Sequence, residues 1–256
     1  MIQAIFFDID GTLVSFQTHT IPQSAMDALY LLKEKGIKLF IATGRAKDGL
    51  AVLKQFPFDG YITLNGQYCF TDHHIIYENT ISSSQLEILV NSIHEHPFPC
   101  GFVRENDKIF NYRDERVDYI HSITLNDDHP AGDISNITHE KVYQCMAFIN
   151  EEEEKELLSR MPGCIAARWH PSFCDISPKG GTKQNGIDQF LNYYHLKLED
   201  TMAIGDGGND LAMLKHVHYP VAMGNGEDKL KEIAVYVTDT VENDGIYKAM
   251  KHFDLI

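Results

Sequence analysis

A chain of 256 residues is long for one compact domain and sufficient for two. Its 43% hydrophobic and 23% charged residues suit a protein with a buried core and exclude a disordered, collagenous or coiled-coil chain. The formal net charge of -15 excludes nucleic acid and anionic membranes as partners. It also means that any phosphate site must be a local concentration of cations and backbone donors working against the global field.

Ile2–Phe7 is a short apolar run that reads as a strand buried on both faces of a parallel sheet. No basic stretch precedes it, so it is no signal peptide, and no segment approaches the roughly 20 apolar residues of a membrane span. A cytoplasmic location is expected. Pro22 opens a helix that carries Met26, Leu29 and Leu32 at helical spacing and stops at Lys35-Gly36. Ile37–Ala42 is a second buried strand, followed by a short helix, and Tyr61–Leu64 is a third strand.

From about residue 81 to 180 the pattern changes to α+β. Cys100–Val103 and Ile109–Tyr112 flank a turn at Glu105-Asn106-Asp107. Val142–Ile149, Ile165–Trp169 and Phe173–Ile176 read as further strands, and Glu151–Arg160 as a helix whose four leading glutamates suit the dipole at its N-terminus. Strand–helix alternation then returns. Gly186–Tyr194 is a helix, Thr201–Ile204 a strand, Leu211–His216 the start of a helix, and Tyr219–Met223 and Ala234–Val237 are two more strands. The expected fold is α/β, a Rossmann-like doubly wound parallel sheet formed by residues 1–80 and 181–256, with an inserted α+β domain at 81–180. Five cysteines (Cys69, Cys100, Cys145, Cys164 and Cys174) contain no C-x-x-C pair and are odd in number, so reduced buried thiols are expected.

Four short motifs fall where parallel strands end, the edge at which open α/β sheets bind ligands. In Asp8-Ile9-Asp10-Gly11-Thr12, residues two apart in extended chain turn both carboxylates to one side. Carboxylates that close repel each other unless a cation or shared proton intervenes. A hydrated turn with two surface acids is the plainer alternative, but the buried strand that feeds the motif speaks against it. Thr43-Gly44-Arg45 offers a hydroxyl and backbone amides to an anion, and by itself reads equally as a helix cap. Lys183, after Lys179-Gly180-Gly181-Thr182, opposes the dipole of the helix it begins and so asks for an anionic partner, though by itself it reads equally as a surface lysine. Gly205-Asp206-Gly207-Gly208-Asn209-Asp210 supplies sharp turns and two hard oxygen ligands suited to magnesium. Together these are the parts of a phosphoryl-transfer site. The chain has neither a G-x-x-x-x-G-K-[ST] loop nor a G-x-G-x-x-G fingerprint.

The four motifs, with Thr63-Leu64-Asn65-Gly66 and Asp175-Ile176-Ser177-Pro178-Lys179-Gly180, resemble the haloacid dehalogenase superfamily. The resemblance spans the chain and is greatest to the Cof-type branch (subclass IIB, with a C2B-type cap) and, within it, to bacterial hexose phosphate phosphatases. It implies a magnesium-dependent phosphatase in which Asp8 is the nucleophile, Asp10 the general acid and base, and Lys183 a catalytic cation. Asp8, Asp206 and the backbone carbonyl of Asp10 would hold Mg2+, with Asp210 behind through water. Asp10, Thr43, Gly44, Lys183 and Asn209 would meet the phosphate. Arg45, Asn65, Arg168 and Asp175 are candidate substrate contacts, Arg45 at the cap interface. Trp169 reads as either a sugar-stacking face or cap core. The expected partner is a small phosphorylated metabolite, and the expected state a monomer or small homo-oligomer. Phosphatases of phosphorylated cofactors, a phosphomutase-like phosphotransferase and a non-catalytic sensor of phosphorylated ligands are the competing readings.

Overall fold

In a computed structural model of the chain, which describes residues 1–124 and 130–256, the first apolar run becomes strand β1 (Ala4–Phe7), with all four side chains buried. Helix α1 (Gln23–Glu34) follows, then β2 (Lys38–Ala42), a 3-10 helix at Lys47–Leu53, β3 (Gly60–Thr63), β4 (Tyr68–Phe70) and β5 (Ile75–Glu78). The chain next forms α2 (Ser83–Glu95), β6 (Cys100–Val103), β7 (Lys108–Phe110), α3 (Glu115–Thr124), β8 (Gln144–Ala147), α4 (Glu151–Arg160), β9 (Cys164–His170) and β10 (Phe173–Pro178). It ends with α5 (Lys183–Tyr194), β11 (Thr201–Gly205), α6 (Leu211–His216), β12 (Tyr219–Ala222), α7 (Asp228–Lys231), β13 (Tyr236–Val237) and α8 (Gly245–His252). Two units separate: Met1–Glu78 with Gly181–Ile256, and Asn79–Gly180.

The first unit holds an eight-stranded sheet in the order β13-β12-β11-β1-β2-β3-β4-β5. The alternation of side chains along each strand splits its apolar residues between two cores. Ile5, Phe7, Leu39, Ile41, Met202 and Ile204 face α1 and α8. Ala4, Phe6, Phe40 and Ala203 face α5 and α6 through Ile187, Phe190, Met213 and Leu214. This is why β1 and β2 read as unbroken apolar runs: neither face meets water. Phe6 stacks on Phe40 at 4.8 Å between ring centroids, and Phe40 meets Phe190 at 4.9 Å. Full burial of each such ring contributes roughly 1.5–3 kcal/mol.

The sheet is not parallel throughout. β4 and β5 run antiparallel on one edge. A tight turn at Leu64–Gly66 sends the chain straight back, leaving no length for the crossover that a parallel neighbour requires. β1 lies between β11 and β2, the point from which strand order runs outward in both directions, so the carboxyl ends of these three strands border one crevice.

The second unit is a five-stranded antiparallel sheet in the order β7-β6-β8-β10-β9. On one face α2 and α4 bury Leu86, Leu89, Ile93 and Leu157 against Cys100, Phe102, Cys145, Cys174 and Ile176. On the other, Val117 and Ile120 of α3 pack with Phe110, Met146, Phe148 and Phe173. Asn150 and Glu153 form a capping box at the start of α4, so the glutamate run is the acidic first turn of that helix. All five cysteines are buried free thiols.

Candidate active site

The ladder between β1 and β11 brings two carboxylates together from opposite halves of the chain. Asp8 follows β1 and its N–H donates to the Ile204 carbonyl at 3.0 Å, while Asp206 follows β11. Gly11 turns away with φ +80, and a Cβ there would lie 2.3 Å from Asp206 Oδ2. Only glycine both adopts this conformation and lets the loop approach that carboxylate. Thr12, fully buried, donates its hydroxyl to Asp206 Oδ1 at 2.8 Å.

Lys183 begins α5 and is buried to 1% exposure, its ammonium 2.5 Å from Asp8 Oδ1 and 2.6 Å from Asp210 Oδ1. A cation placed there against the helix dipole is held by the two carboxylates. Burial alone would lower the lysine's pKa, but the charges of Asp8 and Asp210 prevail and raise it. Asp210 is wholly buried, and its other oxygen accepts the N–H groups of Asp206 and Gly207, both at 3.0 Å, which shapes the glycine-rich loop. Burial pushes the Asp8 carboxyl up to about 8 despite Lys183, and the Asp206 carboxyl up to about 6 despite the Thr12 hydrogen bond.

Oxygens of Asp8, Asp206 and Asp210 all lie within 4.8 Å of one another. Fully ionised, the three carboxylates exceed the ammonium by two negative charges in a largely buried space. An all-oxygen donor set with that surplus suits one hard divalent cation. Both Asp210 oxygens are already committed, so Asp8 and Asp206 have the freer lone pairs. The Asp10 carboxylate lies outside this cluster. Arg45 takes it instead, Nε to Oδ2 at 2.9 Å and Nη2 to Oδ1 at 2.6 Å, with Nη1 on the Gly49 carbonyl. Within this unit Arg45 therefore contacts the proposed acid–base residue, a role its expected place at the cap interface did not include.

Thr43 follows β2, is buried, and accepts the Arg45 N–H at its hydroxyl. Gly44 follows it. Asn65, from the turn after β3, approaches Gly44 and accepts a hydrogen bond from Asn209 Nδ2 at 3.1 Å. Asp8, Lys183, Asp206 and Asp210 thus converge directly, and Asn65 links the stretches carrying Gly44 and Asn209.

The candidates in the second unit fare differently. Arg168 spends its guanidinium on Glu154, at 2.7 Å, and on the carbonyls of Ile149, His170, Pro171 and Phe173. It clamps α4 and the β9–β10 turn, a structural role that its expected substrate contact did not include. Asp175 sits half-buried on β10. The side chain of Trp169 lies outside the described residues.

Two contributors went unassigned. Thr12 belongs to the first motif yet received no role. Asn225 donates to the Gly11 carbonyl at 2.8 Å and accepts the Val241 N–H at 3.1 Å, bracing the loop behind Asp10. Its signal was available: Gly224-Asn225-Gly226 follows a parallel strand, as the other motifs do.

Residues 5–250 match the family model of the haloacid dehalogenase-like hydrolases. YkrA of Bacillus subtilis, provisionally named a phosphatase, is 33% identical over 257 residues and covers 98% of both chains. YitU of the same bacterium, a 5-amino-6-(5-phospho-D-ribitylamino)uracil phosphatase, is 27% identical over 267 residues, covering 97% of this chain and 96% of its own. Among solved structures, the HAD subclass IIB sugar phosphatase BT4131 superposes with a TM-score of 0.85 at 42% identity, covering 99% of this chain and all of that one.

Proposed function

The chain belongs to the haloacid dehalogenase-like hydrolase family, and from that premise we propose that it is a phosphatase of small phosphorylated metabolites, sugar phosphates first, working through an aspartyl-phosphate on Asp8. The observation that carries this reading is the buried Lys183 ammonium between Asp8 and Asp210, beside Asp206. A carboxylate cannot approach a phosphate dianion unfavoured by charge without cations at hand, and here one is built in.

Asp8 attacks phosphorus and the bond to the leaving alkoxide breaks while Asp10 gives that oxygen a proton. Asp10, now a carboxylate, takes a proton from water, whose oxygen attacks the same phosphorus. Orthophosphate leaves and Asp8 is restored. Lys183, the Thr43 hydroxyl, the Gly44 amide and Asn209 hold the phosphoryl oxygens in line. Magnesium, held by Asp8, Asp206 and the Asp10 main-chain carbonyl with Asp210 behind through water, would neutralise charge on those oxygens. The unit Asn79–Gly180 is proposed as the cap that selects the leaving group.

The likeness to BT4131 favours sugar phosphates, and the likeness to YitU favours the second reading, a phosphorylated cofactor precursor. A panel of phosphorylated metabolites ranked by kcat/KM decides between them. Highest values on hexose 6-phosphates support the first, a peak on a ribityl or cofactor phosphate supports the second, and no metal-dependent release of orthophosphate from any member or from an aryl phosphate refutes both.

A further inference from the structure

The turn after β3 is built against ordinary backbone preference. Leu64, Asn65 and Gly66 are consecutive left-handed residues, with φ of 51, 54 and 100. Asparagine tolerates that region and glycine prefers it, but a leucine there is strained. Strain of this kind persists only where the surroundings over-determine it, and here they do. The Leu64 N–H donates to the Arg45 carbonyl at 3.0 Å and the Asn65 N–H to the Thr43 carbonyl at 2.9 Å. At Gly66 a Cβ would stand 2.1 Å from the Thr182 carbonyl oxygen, so the turn is pressed against the residue that precedes Lys183.

One three-residue turn thus touches the chain at Thr43–Arg45 and at Thr182, and its one polar side chain reaches a third segment. Asn65 Oδ1 accepts from Asn209 Nδ2 at 3.1 Å, across 144 positions of sequence. Asn65 is half-buried and Asn209 is exposed, so this hydrogen bond sits where solvent or a ligand reaches it. An exposed asparagine on a glycine-rich loop has little else to fix its amide. Only one of its two N–H bonds goes to Asn65, leaving the second to point elsewhere in a fixed plane.

We propose that Asn65 is a positioning residue: it locks the amide of Asn209 so that the remaining N–H of that amide is presented to an oxygen of the bound phosphate. The inference rests on the assignment of Asn209 as a phosphate donor. The strained turn serves to hold Asn65 rigidly enough for this, since a donor already oriented loses less entropy when the anion arrives.

The test is a double-mutant cycle read by calorimetric binding of inorganic phosphate in magnesium buffer, which needs no turnover. N65G keeps the left-handed backbone and removes the acceptor, N209A removes the donor, and the pair completes the cycle. Each single variant is expected to weaken phosphate binding about tenfold, the worth of one hydrogen bond to a charged group. The double variant is expected to fall within about twofold of either single, because both remove the same contact. Unchanged binding in N65G, or losses that multiply in the double variant, overturns the proposal. If N65G lacks a cooperative melt, N65S completes the cycle under the same criteria, its hydroxyl being too short to reach Asn209. Loss of binding in N209A alone would leave Asn209 a phosphate donor and dismiss Asn65, whereas full binding in N209A would remove the assignment on which the inference stands. Aryl phosphate hydrolysis by the wild-type protein, measured beside it, tests the phosphatase reading separately.

Discussion

Arg45 grips Asp10 through two parallel hydrogen bonds, of 2.9 and 2.6 Å, so that the proposed acid–base carboxylate is held in one plane by the residue that closes the second motif. Both side chains are partly open, Arg45 at 33% and Asp10 at 41% exposure, which makes the pair a matter of orientation more than of stability. Bidentate geometry is what arginine adds and lysine lacks.

Arg45→Ala is therefore expected to lower kcat about 10²-fold, within the range of general acid–base contributions, while unfolding free energy changes by less than about 1 kcal/mol. Arg45→Lys should recover little. Steady-state kinetics beside urea unfolding checks this, and an unchanged kcat would dismiss the orienting role.

Asp8→Asn should cut turnover by more than about 10⁴-fold and leave the fold intact, because it removes the proposed nucleophile but not the volume. Burial raises the Asp8 carboxyl to about 8, so replacing it by a neutral amide relieves desolvation and the melting temperature should not drop at alkaline pH. Retained steady-state hydrolysis would count against the assignment.

Lys183→Met removes the one cation among three buried carboxylates. Breaking such a cluster by deleting one partner is expected to cost about 3–5 kcal/mol. Chemical denaturation measures it, and added magnesium should return part of the loss. A variant as stable as the parent would mean that the carboxylates had simply taken up protons.

Stability in the absence of metal should fall as pH rises. Folded pKa values of about 8 for Asp8 and about 6 for Asp206 lie above their ordinary 3.8, so between these limits the folded state binds more protons than the unfolded one. Its stability is greatest at the acid end of that window and is lost toward pH 8. A cation competes with those protons, so magnesium should raise the melting temperature more near pH 8 than near pH 5. Equal shifts at both would contradict it.

Arg168→Met should destabilise the second unit by about 2 kcal/mol, since five bonds holding α4 and the β9–β10 turn are lost at once. Limited proteolysis within residues 79–180 reports it. An unaltered cleavage rate would dismiss the clamping role.

Much of this was legible in the residues because both faces of β1, β2 and β11 are buried, and such strands announce themselves as apolar runs that stop at the loops of the candidate site. Asp8 and Asp206 could be placed near one another for that reason, whereas Lys183 begins a helix and was placed by its motif. The pairings within the site were not legible. Arg45 with Asp10 and Asn65 with Asn209 are side-chain meetings across long chain separations, and no local pattern encodes a partner. Strand β4 was missed because three residues are too few to show a period. Helix α2 was missed although Leu86, Leu89, Val90 and Ile93 carry the helical spacing in the sequence.

The pairing of β1 with β11 matches Ala4 to Thr201 and Phe7 to Ile204. During synthesis the first strand therefore leaves the ribosome long before one of its two neighbours exists, with Ile5 and Phe7 lacking part of their eventual cover. The unit Asn79–Gly180 has all its strand pairings inside itself and emerges whole in the interval. The inserted unit is thus positioned to fold first, and the last quarter of the chain to act as the closing step that makes the N-terminal strand safe from aggregation.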